Sequence, residues 1–133
     1  MILLDDQHII VTYHEDEKCL DYMWKDFVPS ILLRERLEKV IKWIEEYKAE
    51  ALINNLKHVG AVSKEDQMWI AKVFSPALVN AKLKYSVIVL PTSIFGKLAN
   101  EEVERNIGSN SIITKHFNDS KKALEWIADM QKS

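Results

Sequence analysis

Two strand-like runs open the patterned part of the chain. His8-Ile9-Ile10-Val11-Thr12-Tyr13 is rich in β-branched residues, and Cys19-Leu20-Asp21-Tyr22-Met23-Trp24 places Leu20, Tyr22 and Trp24 on one face. The acidic stretch His14-Glu15-Asp16-Glu17 between them reads as a turn, so the pair predicts a β-hairpin. Pro29 and Ser30 then punctuate the chain. Leu33, Leu37, Val40, Ile41 and Ile44 recur at helical spacing and predict a helix over 31–47. Glu35 with Lys39 and Glu38 with Lys42 solvate its outer side.

Ala51-Leu52-Ile53-Asn54 is short and apolar enough for a buried strand, followed by a loop over 55–62. Ser63 with Asp66 matches a helix N-cap arrangement, and Ile70, Val73, Phe74, Ala77 and Ala81 form the next apolar stripe. Pro76 falls inside that stripe and predicts a kink or a restart of the helix, with Pro tolerated in a first turn. Tyr85-Ser86-Val87-Ile88-Val89-Leu90 is the strongest strand signal and reads as a central strand buried on both faces. A helix from 93 to 105, a turn at Ile107-Gly108-Ser109-Asn110 and a strand over 111–117 follow. Asn118 or Asp119 caps a final helix with Ala123, Ile127 and Met130 on one side.

The resulting order, β-β-α-β-α-β-α-β-α, predicts an α/β fold. Its single mixed, mainly parallel sheet has helices packed on it and the N-terminal hairpin strand at an edge. A length of 133 residues fits one domain spanning 1–133. With 47% hydrophobic and 29% charged residues the composition is that of a globular protein, not a disordered one. The formal net charge of -2 gives no support for a nucleic-acid partner. No apolar stretch approaches the roughly 20 residues of a membrane span, and Met1-Ile2-Leu3-Leu4-Asp5-Asp6 lacks the basic and apolar regions of a signal peptide. A single cysteine, Cys19, agrees with a reducing compartment, so a cytoplasmic location is expected.

The chemistry-bearing residues are sparse. His8, His14, His58 and His116 form no pair at ligand spacing with one another or with Cys19, so no metal is expected. Cys19 sits on a strand with no neighbouring base and reads as a buried side chain. Gly60, Gly96 and Gly108 are too far apart for a glycine-rich phosphate cradle, and no cofactor or catalytic set is expected. Ligands in open α/β sheets bind beyond the carboxyl ends of parallel strands. Here that rim carries Asn54, Asn55 and His58, then Thr92 and Ser93, then His116 and Asn118, with the Ser63 helix start facing it. These groups suit a small ligand or an anion, although Ser63, Thr92 and Asn118 are also what helix caps require. Trp43 and Trp69 lie about 100° or more off the centres of their helix stripes and are candidates for a partner surface.

Ala51-Leu52-Ile53-Asn54-Asn55, Asp66-Gln67-Met68-Trp69-Ile70, Val87-Ile88-Val89-Leu90-Pro91 and the ending from Phe117 to Ile127 carry a resemblance that covers nearly the whole chain. The chain resembles the STAS domain of anti-sigma-factor antagonists and the related CRAL-TRIO lipid-carrier sheet, and more specifically small bacterial proteins grouped as STAS-like. The resemblance implies a non-enzymatic regulatory module that binds a protein or forms a homodimer. In signalling members a Ser or Thr at the helix start after a central strand is phosphorylated. Ser63 matches by place, but the chain reads Val62-Ser63-Lys64-Glu65-Asp66 where those members carry an Asp-Ser-x-Gly pattern. The CRAL-TRIO likeness implies, alternatively, a carrier of a small hydrophobic ligand or lipid. A third reading is an enzyme of unrecognised type using His58, Ser63 or His116.

Overall fold

The computed structural model describes residues 1–25, 28–58, 62–91 and 112–132. Six strands, β1 (Ile2–Asp5), β2 (Ile9–His14), β3 (Cys19–Trp24), β4 (Ala51–Asn55), β5 (Tyr85–Val89) and β6 (Ile113–Phe117), form one mixed sheet in the order β1-β2-β3-β4-β5-β6. β1–β2 and β2–β3 are antiparallel, while β3–β4, β4–β5 and β5–β6 are parallel. The helices are α1 (Ser30–Tyr47), α2 (Lys64–Trp69), α3 (Ser75–Asn80) and α4 (Ser120–Lys132), with a π-helical turn (Ile70–Phe74) joining α2 to α3.

The strand alternation of side chains sorts the apolar residues into two cores. On one face Ile9, Val11 and Tyr13 of β2, Leu20, Tyr22 and Trp24 of β3 and Leu52 of β4 pack with Leu33, Leu37, Val40 and Ile44 of α1 and with Phe74 and Leu78. On the other, Cys19, Ala51, Ile53, Val87 and Val89 pack with Ala123 and Ile127 of α4. Parallel strands advancing stepwise across a sheet through right-handed crossovers place their connecting helices on one side. That accounts for α1 and the α2–α3 segment sharing a face, while α4 covers the other.

The hairpin runs from Ile9 opposite Trp24 to His14 opposite Cys19, and the acidic run forms its turn, with Lys18 N–H bonded to the Glu15 carbonyl at 3.2 Å. β5 lies between two parallel neighbours, as its apolar run predicts, but it is not fully buried on both faces: Val87 and Val89 are buried on the α4 side, while Ser86 and Ile88 on the α1 side are half-buried. The expected edge position of the hairpin strand is corrected: β1 pairs outside β2, which becomes an interior strand. β1 gives little sequence signal because it is four residues long, its Ile2 is exposed, and the register slips between Ile2 and Leu4. The last strand starts at Ile113, and Asp119 rather than Asn118 caps α4, its Oδ1 accepting the Lys121 N–H at 2.8 Å. The helix expected over 93–105 and the turn at 107–110 lie outside the described residues.

Pro76 has the restarting effect expected of it. It sits in the first turn of α3, where its missing N–H is harmless. Inside a continuous α-helix its ring would press on the carbonyl four residues earlier. The turn ahead of it instead widens, and the Ser75 N–H bonds back to the Ile70 carbonyl.

Candidate functional site

The carboxyl ends of β4, β5 and β6 form the rim where a ligand would be sought. Register pairs Asn54 with Ile88 and Ile88 with His116, so these three share a row on the α1 face. Asn55, Val89 and Phe117 form the adjacent row and face α4. Asn54 and Asn55 therefore point to opposite sides of the sheet and cannot converge on one ligand.

Several candidate residues are engaged in building the fold. Asn55 is 6% exposed, and its Oδ1 accepts the Lys57 N–H at 3.0 Å, closing the turn out of β4. Ser63 Oγ accepts the Asp66 N–H at 3.1 Å and caps α2. His58 is exposed at the end of that β4 turn. Thr92 and Ser93 lie outside the described residues.

Asn54 is different. Its Oδ1 is buried and has no hydrogen-bond partner among the described residues. Such an atom forfeits its hydration without compensation, at a cost of about 1–3 kcal/mol. His116, two strands away in the same row and thus roughly 9–10 Å distant at the backbone, is half-buried, and burial pushes its imidazole pKa below the ordinary histidine value. The neutral ring is thereby favoured, with one nitrogen able to donate and the other to accept.

Sequence reasoning treated Asp66 only as a first-turn acid. Its carboxylate is 3% exposed, accepts a 2.7 Å hydrogen bond from Ser30 Oγ, and takes a 3.3 Å bond from Arg34 Nε. The Ser30 hydrogen bond, opposed by burial and aided by Arg34, holds the carboxyl below its usual range. The one available signal was Ser30 and Arg34 standing four apart, on one face of α1.

Trp43 and Trp69 are each partly buried against the first core, and the Arg34 guanidinium lies 5.7 Å from the centre of the Trp69 ring. They belong to the outer helical layer, with part of each ring still open to solvent. The two sheet edges are differently guarded. β1 is short and bulged, and the exposed stretch of β6 carries Lys115, whose ammonium sits 5.5 Å from the Trp126 ring. Short, bulged or lysine-bearing edges resist pairing with another chain.

Cys19 is buried, and burial pushes its thiol well above the ordinary value, so the reactive thiolate is suppressed. Among the described residues no three His, Cys, Asp or Glu side chains gather as metal ligands, and no helix is long and apolar enough to cross a membrane. Comparison of the chain with protein-family models, curated proteins and solved structures returns no match.

Proposed function

We propose that the chain is a non-enzymatic regulatory or protein-interaction module of STAS-like type, engaging a protein partner or a second copy of itself through the outer helical layer. The observation that carries this reading is the stepwise parallel run β3-β4-β5-β6 with α1 and the α2–α3 segment on one face, in keeping with the alternation of strands and helices on which the STAS-like resemblance rests. The warrant is one of fold analogy. Two observations about surfaces support it. Ser63 and Asn55 on the rim are committed to a cap and a turn, and the guarded edges of β1 and β6 direct association toward the helices, where Trp43 and Trp69 remain partly exposed. Light scattering after size exclusion, with affinity capture from the source cell, tests it. A concentration-dependent dimer or a stoichiometric partner lost on Trp43→Ala or Trp69→Ala supports the reading. A strict monomer that retains no protein counts against it.

A second reading is favoured by Asn54: a small, largely apolar ligand carrying one hydrogen-bond donor, held against Ile88 between the sheet and the helical layer. The buried, unpaired Oδ1 is the acceptor such a ligand would satisfy. Native mass spectrometry of the protein as purified decides it. A bound mass released by Asn54→Leu supports a carrier, and its absence removes that reading.

A further inference from the structure

α2 is attached to the molecule mainly by polar contacts. Of its six residues only Asp66 is fully buried. Isolated helices shorter than about 12 residues are marginal in water, so a helix of this length stands only through its contacts. Among the described residues those contacts include the hydrogen bonds from Ser30 and Arg34 to the Asp66 carboxylate, the placement of Arg34 over Trp69, and partial burial of Trp69 against the first core.

Beyond Trp69 the chain enters the π turn, and α3 is then anchored in the first core by Phe74 and Leu78. A π turn is wider than an α turn and is a recognised place for a helix to bend or change direction. The arrangement is thus a short helix with a hinge at one end, a fixed helix beyond the hinge, and a polar clasp facing α1.

We propose that α2 is a latched flap: it pivots on the Ile70–Phe74 turn, is held down by the Asp66 carboxylate on Ser30 and Arg34, and lifts as a unit while α1 and α3 stay in place. Lifting rehydrates the carboxylate with its charge intact, which offsets part of the loss of its bonds to Ser30 and Arg34. Little fully buried apolar surface is exposed in the process, the condition under which local opening is more accessible than global unfolding. The lifted state bares the inner side of Trp69 and Ile70, an apolar surface that the closed state packs against the core. The proposal rests on the α1–α2 geometry and is independent of the partner and ligand readings above.

Hydrogen exchange of the full chain, followed by mass spectrometry, tests it. In the unmodified protein the amides of 64–69 should exchange about tenfold or more faster than those of the interior of α1 and of α3, because few buried apolar contacts protect them. Asp66→Asn and Arg34→Gln should each speed exchange in 64–69 by a further several-fold, and low urea should speed exchange there far less than in α1 and β5, because lifting the flap exposes little surface. Protection of 64–69 equal to that of α1 and α3 would overturn the proposal. So would a urea dependence of exchange in 64–69 as steep as that of α1 and β5, which would make the clasp part of the global fold. The comparison within the unmodified protein needs no variant, so the outcome is readable even where a substitution fails to fold.

Discussion

Ser30 Oγ donates to Asp66 Oδ2 at 2.7 Å across 36 positions of chain, and Arg34, one turn further along α1, donates to the other carboxylate oxygen at 3.3 Å. These bonds join the first turn of α1 to the first turn of α2, the turn that Ser63 caps. Removing the carboxylate leaves the Ser30 hydroxyl and the Arg34 guanidinium without this acceptor. Asp66→Ala is expected to cost about 2–3 kcal/mol and Ser30→Ala about 1 kcal/mol. A double-mutant cycle by urea unfolding should return a coupling on the order of 1 kcal/mol. Strictly additive losses would show that the Ser30–Asp66 bond contributes nothing beyond its two side chains.

The same carboxylate gives the fold a defined acid limb. Asp66 is held below its ordinary value of 3.8, first by Ser30. A carboxyl with a depressed folded-state pKa stabilises fully above its unfolded value, and that contribution is lost as pH falls through the folded one. Asp6 adds to the effect. Burial raises it, but hydrogen bonds from the His8 and Ile9 N–H groups and from Arg36 outweigh this and hold it low. Urea midpoints taken from neutral pH down through the carboxylate range should therefore decline less steeply in Asp66→Asn than in the parent. Superimposable slopes would mean that Asp66 is not shifted in the folded state.

Lys18, Lys48 and Lys82 all adopt positive φ, at 49°, 53° and 65°. Lys48 ends α1 in the left-handed conformation, with the Ala49 N–H returning to the Ile44 carbonyl at 3.0 Å. A side chain with a Cβ pays roughly 1–2 kcal/mol there, and glycine does not. Lys48→Gly should raise stability by about 0.5–1 kcal/mol at unchanged denaturant slope, while Lys48→Val should lower it by more than about 1 kcal/mol. A destabilised glycine variant would contradict the helix ending described.

Asn54 sets stability against binding. Replacing a side chain whose Oδ1 is buried with no partner among the described residues by an apolar one of similar volume removes that atom's desolvation penalty, so Asn54→Leu is expected to stabilise the isolated protein by about 1 kcal/mol. Thermal unfolding measures it, and a loss of comparable size would show that the Oδ1 atom has a partner in solution.

Cys19 is a built-in reporter of opening. It is the chain's one thiol, fully buried in the second core. Alkylation in the native state should be slower than in the urea-unfolded chain by about a hundredfold or more, because reaction requires an opening that exposes a deprotonated sulfur. Rapid native labelling would show that α4 leaves the sheet readily.

The stripe of Leu33, Leu37, Val40 and Ile44 and the apolar run of β5 could be read directly, because periodicity reports burial and burial decides these elements. The opposite orientation of Asn54 and Asn55 was also implicit in the two-residue period of a strand. β1 was not legible: four residues at an edge, with one slip of register, carry too short a pattern. Asp66 was read as half of a local cap because its other partners, Ser30 and Arg34, are brought to it only by tertiary packing. Pro76 announced an interruption, but a proline constrains only its own φ and the preceding turn, so whether the helix would bend, break or widen was left to the packing of Phe74 and Leu78.

The second core has a temporal consequence. Every described strand residue in it precedes Ser120, while among the described residues the side chains that close it, Ala123 and Ile127, come from α4. During synthesis, which proceeds at about 5–20 residues per second, Ile53, Val87 and Val89 emerge well before α4 can cover them. A nascent chain would thus pass through a stage with one finished layer and one bare, greasy flank, the kind of surface that chaperones bind and that sticks to neighbouring nascent chains when they do not.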